Sequence, residues 1–249
     1  MPRARGLPVL LAVAGAAVLA QVPPPPSMSQ APLLAPWPAA GASPASPWHM
    51  AGLPQQKAPP TRFSVVDLDG RRALRVEADA SYGNLVHPVD PPWPARALSW
   101  QWRVDRFVAG ADLRSKPGDD TAVKVCAFFD LGLDQVPFFE RQLLRLARTR
   151  SAEPLPAATV CYVWDATLPA GTTLPNAYTR RVRYLVLRGA AEAAGTWQAE
   201  HRDLGADFLR LFGDESPQVP PVTGVAIGAD ADNTHGQGLA FVADLVLQP

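Results

Sequence analysis

The chain has 249 residues, with 23 Lys and Arg against 23 Asp and Glu and no formal net charge. That balance excludes nucleic acid as the main partner, because nucleic-acid binders concentrate a basic excess on one face. The roughly 200 residues beyond Trp48 are enough for one domain with a substantial core.

Arg3 and Arg5 precede an uncharged run from Leu7 to Ala20, and Val18-Leu19-Ala20 offers tolerated residues at the −3 and −1 positions of a peptidase site. This is the layout of a cleavable signal peptide over residues 1–20. The run falls short of the ~20 residues a spanning helix needs, and Pro8 and Gly15 weaken it further. The mature chain is therefore expected to be periplasmic or secreted, with no stable membrane insertion after cleavage. Loss of Arg3 and Arg5 leaves 21 basic residues against 23 acidic. Residues 21–60 hold twelve of the 28 prolines, including Pro23 to Pro26. Such a stretch predicts an extended, disordered Pro/Ala-rich tether whose end, around Trp48, lies against the domain.

Residues 61–249 read as a single β-sandwich domain. Phe63 to Asp67, the Asp69-Gly70 turn and Ala73 to Ala78 predict a hairpin. In Leu98 to Asp105, Leu98, Trp100, Trp102 and Val104 alternate with polar residues, so this strand buries one face. Further strands are expected at Thr121–Asp130, Thr159–Asp165, Arg181–Arg188, Val222–Ala229 and Leu239–Leu247. A helix is predicted from Pro137 to Arg150, with Phe139, Leu143 and Leu146 on one face and Arg141, Arg145 and Arg148 forming a solvated stripe opposite. A second helix runs from Asp203 as N-cap, through Leu204, Phe208 and Leu211, to Gly213. Many closely spaced strands with two short inserted helices predict an all-β, jelly-roll-like antiparallel sandwich.

Strand parity selects the polar residues. Gln101, Arg103 and Asp105 share the face opposite Trp100 and Trp102, while Lys124 and Asp130 share a face of their own strand. If these faces coincide, one sheet presents a mixed-charge concavity suited to a carbohydrate or cell-envelope ligand. Two loops concentrate oxygen ligands, Lys116 to Thr121 and Asp230 to Gly236. Asp230, Asp232 and Asn233 form a candidate calcium site, although the twelve-residue calcium-loop layout is missing. No Gly-x-Ser-x-Gly elbow or His-Glu-x-x-His helix occurs, and His49, His87, His201 and His235 are scattered. Only a pair drawn from Asp119 or Asp120 and Asp230 or Asp232 could supply the two apposed carboxylates of a glycan hydrolase. The chemistry therefore leans away from an enzyme. Cys126 and Cys161 lie in apolar strands and fit either a disulfide, which an oxidising compartment permits, or two buried thiols.

Trp100-Gln101-Trp102-Arg103-Val104-Asp105, Lys116-Pro117-Gly118-Asp119-Asp120, Phe129-Asp130, Tyr162-Val163-Trp164, Gly224-Val225-Ala226-Ile227 and Asp230-Ala231-Asp232-Asn233-Thr234 occur in that order. Together they resemble the bacterial domain-of-unknown-function 3047 family, over about residues 60–248. The resemblance implies an exported β-sandwich without an established activity, with recurrent polar positions at Arg103, Asp105, Asp119, Asp120, Asp130, Asp230, Asp232 and Asn233. The expected function is a non-catalytic binding domain for a carbohydrate or envelope ligand, with calcium as a candidate companion. The alternatives are an envelope glycan hydrolase, or an envelope scaffold that binds protein through an exposed apolar patch.

Overall fold

The computed structural model of the chain describes residues 1, 32–53, 55–151, 153–189, 192 and 194–248. The predicted signal peptide, Met1 apart, and the first part of the predicted tether lie outside the described residues.

Among the described residues, twelve strands and two α-helices follow one another as β1 (His49–Ala51), β2 (Arg62–Leu68), β3 (Arg71–Asp79), β4 (Tyr82–Trp93), β5 (Ala97–Arg106), β6 (Thr121–Phe129), α1 (Phe138–Arg148), β7 (Ala158–Trp164), β8 (Thr173–Pro175), β9 (Val182–Arg188), β10 (Gln198–Asp203), α2 (Leu204–Phe212), β11 (Val222–Asp230) and β12 (Gln237–Leu247). They form a seven-stranded sheet, β1-β4-β11-β6-β7-β9-β8, facing a five-stranded sheet, β10-β5-β12-β3-β2. The fold is the expected jelly-roll-like sandwich, and among the described strands one pair departs from the antiparallel plan. β7 and β9 pair in parallel, because the chain between them crosses over through β8 instead of turning back directly.

Local chemistry places the elements. Asp69 and Gly70 both adopt positive φ, which a two-residue hairpin turn between β2 and β3 requires. The Asp203 side chain accepts the Ala206 N–H at 3.0 Å and caps α2 as the sequence predicts. Alternation along β5 buries Trp100 and Trp102 against Tyr162 and Trp164 of β7, with ring centroids 5.2 and 6.0 Å apart. From the other side, α2 inserts Phe208 and Phe212, the former against Phe129. Glu200 accepts from Trp102 Nε1, and Asp207 accepts from Tyr162 and Arg202, so these buried polar groups are satisfied.

β4 escapes sequence reading because Pro88, Pro91 and Pro92 interrupt it. β1 pairs only with Asn84 to Val86, so most of the proline-bearing half has a free edge where a missing N–H costs nothing. The tether docks around Trp48 as expected but over more of its length than composition suggests. From Pro32 onward it lies against the sandwich: Leu34 and Trp48 are buried, Trp48 Nε1 donates to Ala35 O, and Gly41 N donates to Val65 O. Its prolines prevent regular structure but not docking, so the compact unit begins well before residue 61.

α1 also differs, because its apolar stripe faces outward. Phe138, Phe139, Leu143 and Leu146 are exposed and Leu144 is the buried residue of the helix. Glu140 turns inward to Arg180 and Arg181, which turns the Phe139 side away from the sandwich. Among the described residues, no helix is long and apolar enough to cross a membrane.

Candidate functional site

The outer face of the seven-stranded sheet carries a second apolar layer that includes Cys126, Cys161, Val163, Tyr184 and Ala226. Cys126 and Cys161 lie directly opposite each other on β6 and β7 and are joined by a disulfide. At one end this layer gives way to a polar cluster. Lys124 on β6 pairs with Asp230 on β11, Nζ to Oδ2 at 2.8 Å, with both side chains almost wholly buried. Asp230 Oδ1 accepts the Thr121 N–H at 3.0 Å. The register sets Gly228 between Lys124 and Asn84, and a Cβ there would meet Lys124 Cε at 2.8 Å and collide with the Asn84 amide. Glycine thus lets both side chains converge above β11.

Three tyrosines border the cluster. Lys124 Nζ lies 5.4 Å from the Tyr82 ring centre, and Tyr82 OH accepts from Asn84 Nδ2. Asn176 Nδ2 donates to Tyr184 OH and to Asp119 Oδ2, at 2.9 and 2.5 Å. Tyr178, exposed, donates to Asn233 Oδ1 at 2.9 Å. The two acidic loops converge here through Asp120, whose carboxylate accepts from Asn233 N, Asn233 Nδ2 and Thr234 N. Asp119 is 4% exposed, yet its Oδ1 has no partner, and Asp232 Oδ1 is likewise buried and unpartnered.

Burial dominates the electrostatics. It pushes the Asp230 carboxyl up to about 6, against the pull of Lys124. Desolvation opposes the charge on Lys124, but Asp230, Tyr184 and Tyr82 hold its ammonium well above the ordinary lysine value. Asp119 and Asp232 are also raised, chiefly by burial. Asp230, Asp232 and Asn233 lie together, but both oxygens of Asp230 and the amide of Asn233 are already engaged. Among the described residues, no group of three or more His, Cys, Asp or Glu is arranged to hold a metal ion.

The remaining parity-selected residues fall elsewhere. Gln101, Arg103 and Asp105 occupy the outer face of the five-stranded sheet, so the two polar faces do not coincide. Arg103 is held by Asp105 and Asp69 at 2.5 and 2.7 Å, and Gln101 donates to Asp244 at 2.7 Å. Trp197 Nε1 also donates to Asp69. This face satisfies its own polar groups. Asp130 is exposed just past the end of β6, at the opposite end of that strand from Lys124. Sequence reasoning missed Tyr82, Asn84, Asn176, Tyr178 and Tyr184. The Tyr82-Gly83-Asn84 alternation was the available signal, hidden because the prolines masked its strand.

No curated protein matches the chain. Among solved structures it is similar to TmCBM61 in complex with β-1,4-galactotriose, with a TM-score of 0.33 and 10% identity over 81% of this chain and 87% of that one. The model of the family described as "Protein of unknown function (DUF3047)" matches residues 46–246. With four-fifths of its length so matched, the chain belongs to the DUF3047 family.

Proposed function

We propose that this is a periplasmic or secreted binding domain that holds a carbohydrate or another hydroxyl-rich cell-envelope ligand at the Lys124–Asp230 cluster. The observation that carries the reading is the buried, unpartnered Oδ1 of Asp119. A buried acceptor without a partner costs about 1–3 kcal/mol, and a ligand hydroxyl donating to it recovers that cost. Asp232 Oδ1 supplies a second acceptor. The ring of Tyr178 offers an apolar face beside them, the combination a sugar ring uses: a polar rim and a carbon face. The signal-like segment at residues 1–20 supports the location.

A glycan hydrolase is the second reading, favoured by one observation. The Asp119 and Asp230 loops converge, and both carboxyls are raised by burial, as a general acid requires.

An oligosaccharide and envelope-fragment screen, read by melting temperature with calcium present and absent, tests both. A ligand at one hundred times its Kd stabilises the fold by about 2.7 kcal/mol. Asp119→Asn and Tyr178→Ala are each expected to weaken the bound glycan at least tenfold while leaving the fold intact. A glycan hit unaffected by both variants, or no hit at all, defeats the binding reading. Shortened products that vanish in Asp119→Asn establish the hydrolase instead.

A further inference from the structure

We propose that α1 is a peripheral docking helix for anionic lipid surfaces, separate from the polar cluster. Phe138, Phe139, Leu143 and Leu146 are 60, 80, 67 and 51% exposed. The two rings alone leave on the order of 300 Å² of apolar surface in solvent, the size at which exposed patches mark interaction sites. Phe139, Leu143 and Leu146 stand at helical spacing on one face, while Arg145 and Arg148 belong to the polar stripe on the opposite side of the same helix.

Charge selects the occupant. Between Phe138 and Arg150 there are four cations, Arg141, Arg145, Arg148 and Arg150, and one acid, Glu140. Glu140 is spent on Arg180 and Arg181. Among the described residues none of the four arginines is ion-paired, although Arg141 and Arg148 donate to the Leu133 and Leu155 carbonyls, which leaves Arg145 and Arg150 without such a contact. The whole chain is balanced at 23 against 23, so this excess is local. An arginine-rich stripe opposite an exposed Phe/Leu face, on a helix too short to span, is the composition of a helix that lies in the lipid headgroup plane. Apolar protein grooves need no such cationic border.

Co-sedimentation of the full chain with vesicles tests the proposal, using phosphatidylglycerol/phosphatidylcholine mixtures and pure phosphatidylcholine at low and high salt. The expected result is binding to the anionic vesicles, at least tenfold weaker on phosphatidylcholine and weakened by salt. Phe139→Ser with Leu143→Ser, both exposed and so compatible with folding, should reduce partitioning at least tenfold at an unchanged melting temperature. Arg145→Glu with Arg148→Glu should abolish the anionic preference. Partitioning equal to the parent in both double variants overturns the proposal. So does a dimer or a protein complex that forms without lipid and is lost in Phe139→Ser, which would assign α1 to a protein partner.

Discussion

Asp230 shows how much one buried carboxyl can be asked to bear. Its environment raises it from the ordinary 3.8 to about 6, because desolvation outweighs the attraction of Lys124. A carboxyl raised in the folded state keeps a proton there that the unfolded chain has already released. The folded state then binds more protons than the unfolded one across that window. Stability therefore falls as pH rises from the ordinary carboxylate range to about 6, and levels off above it. Chemical denaturation of the parent and of Asp230→Asn in steps across this window should show the parent losing stability relative to the variant as pH rises; a difference moving the other way would sink this account. Lys124 was selectable from strand parity, and Asp119 and Asp230 from their acidic loops. Asn84 was not, since it reaches the pair only through the register of β4 against β11.

Among the elements, β6 and β7 are tied twice, by their ladder and by Cys126–Cys161, which sits in the middle of it. The bridge spans a separation of 35 residues, for which loop-closure entropy predicts about 3–4 kcal/mol of stabilisation. Guanidinium unfolding with and without reductant should show a loss of that size, and two reactive thiols in the denatured, unreduced protein would rule the bridge out. The strands with clean alternation, above all β5, were legible because period two is a local property of the chain. α1 was legible as a helix but not in its orientation. Its pattern names two faces, while the Glu140 contacts with Arg180 and Arg181, from a distant segment, choose which one turns inward.

For the molecule as a whole, the boundary of the folded unit is the clearest difference from sequence reading. Residues 32–60 look like linker by composition, yet they supply Leu34, Trp48 and β1 to the sandwich. Trp48 packs tilted against Trp37 and meets His87 edge-on, with centroids 4.9 Å apart in both pairs. A chain beginning at Thr61 is therefore expected to be less stable than one beginning at Pro32 by about 3–5 kcal/mol, the scale of losing one buried tryptophan. Urea melts of the two chains measure it, and equal midpoints would show the segment to be only a spacer. Strand periodicity, turn chemistry and the α2 cap were written in neighbouring residues, and these were enough to specify an all-β sandwich and its core face. The sheet that each strand joins depends on pairings between residues far apart in the chain. Those pairings set Arg103 and Lys124 on opposite outer faces, brought the Asp119 and Asp230 loops together, and turned the Phe139 side of α1 to solvent.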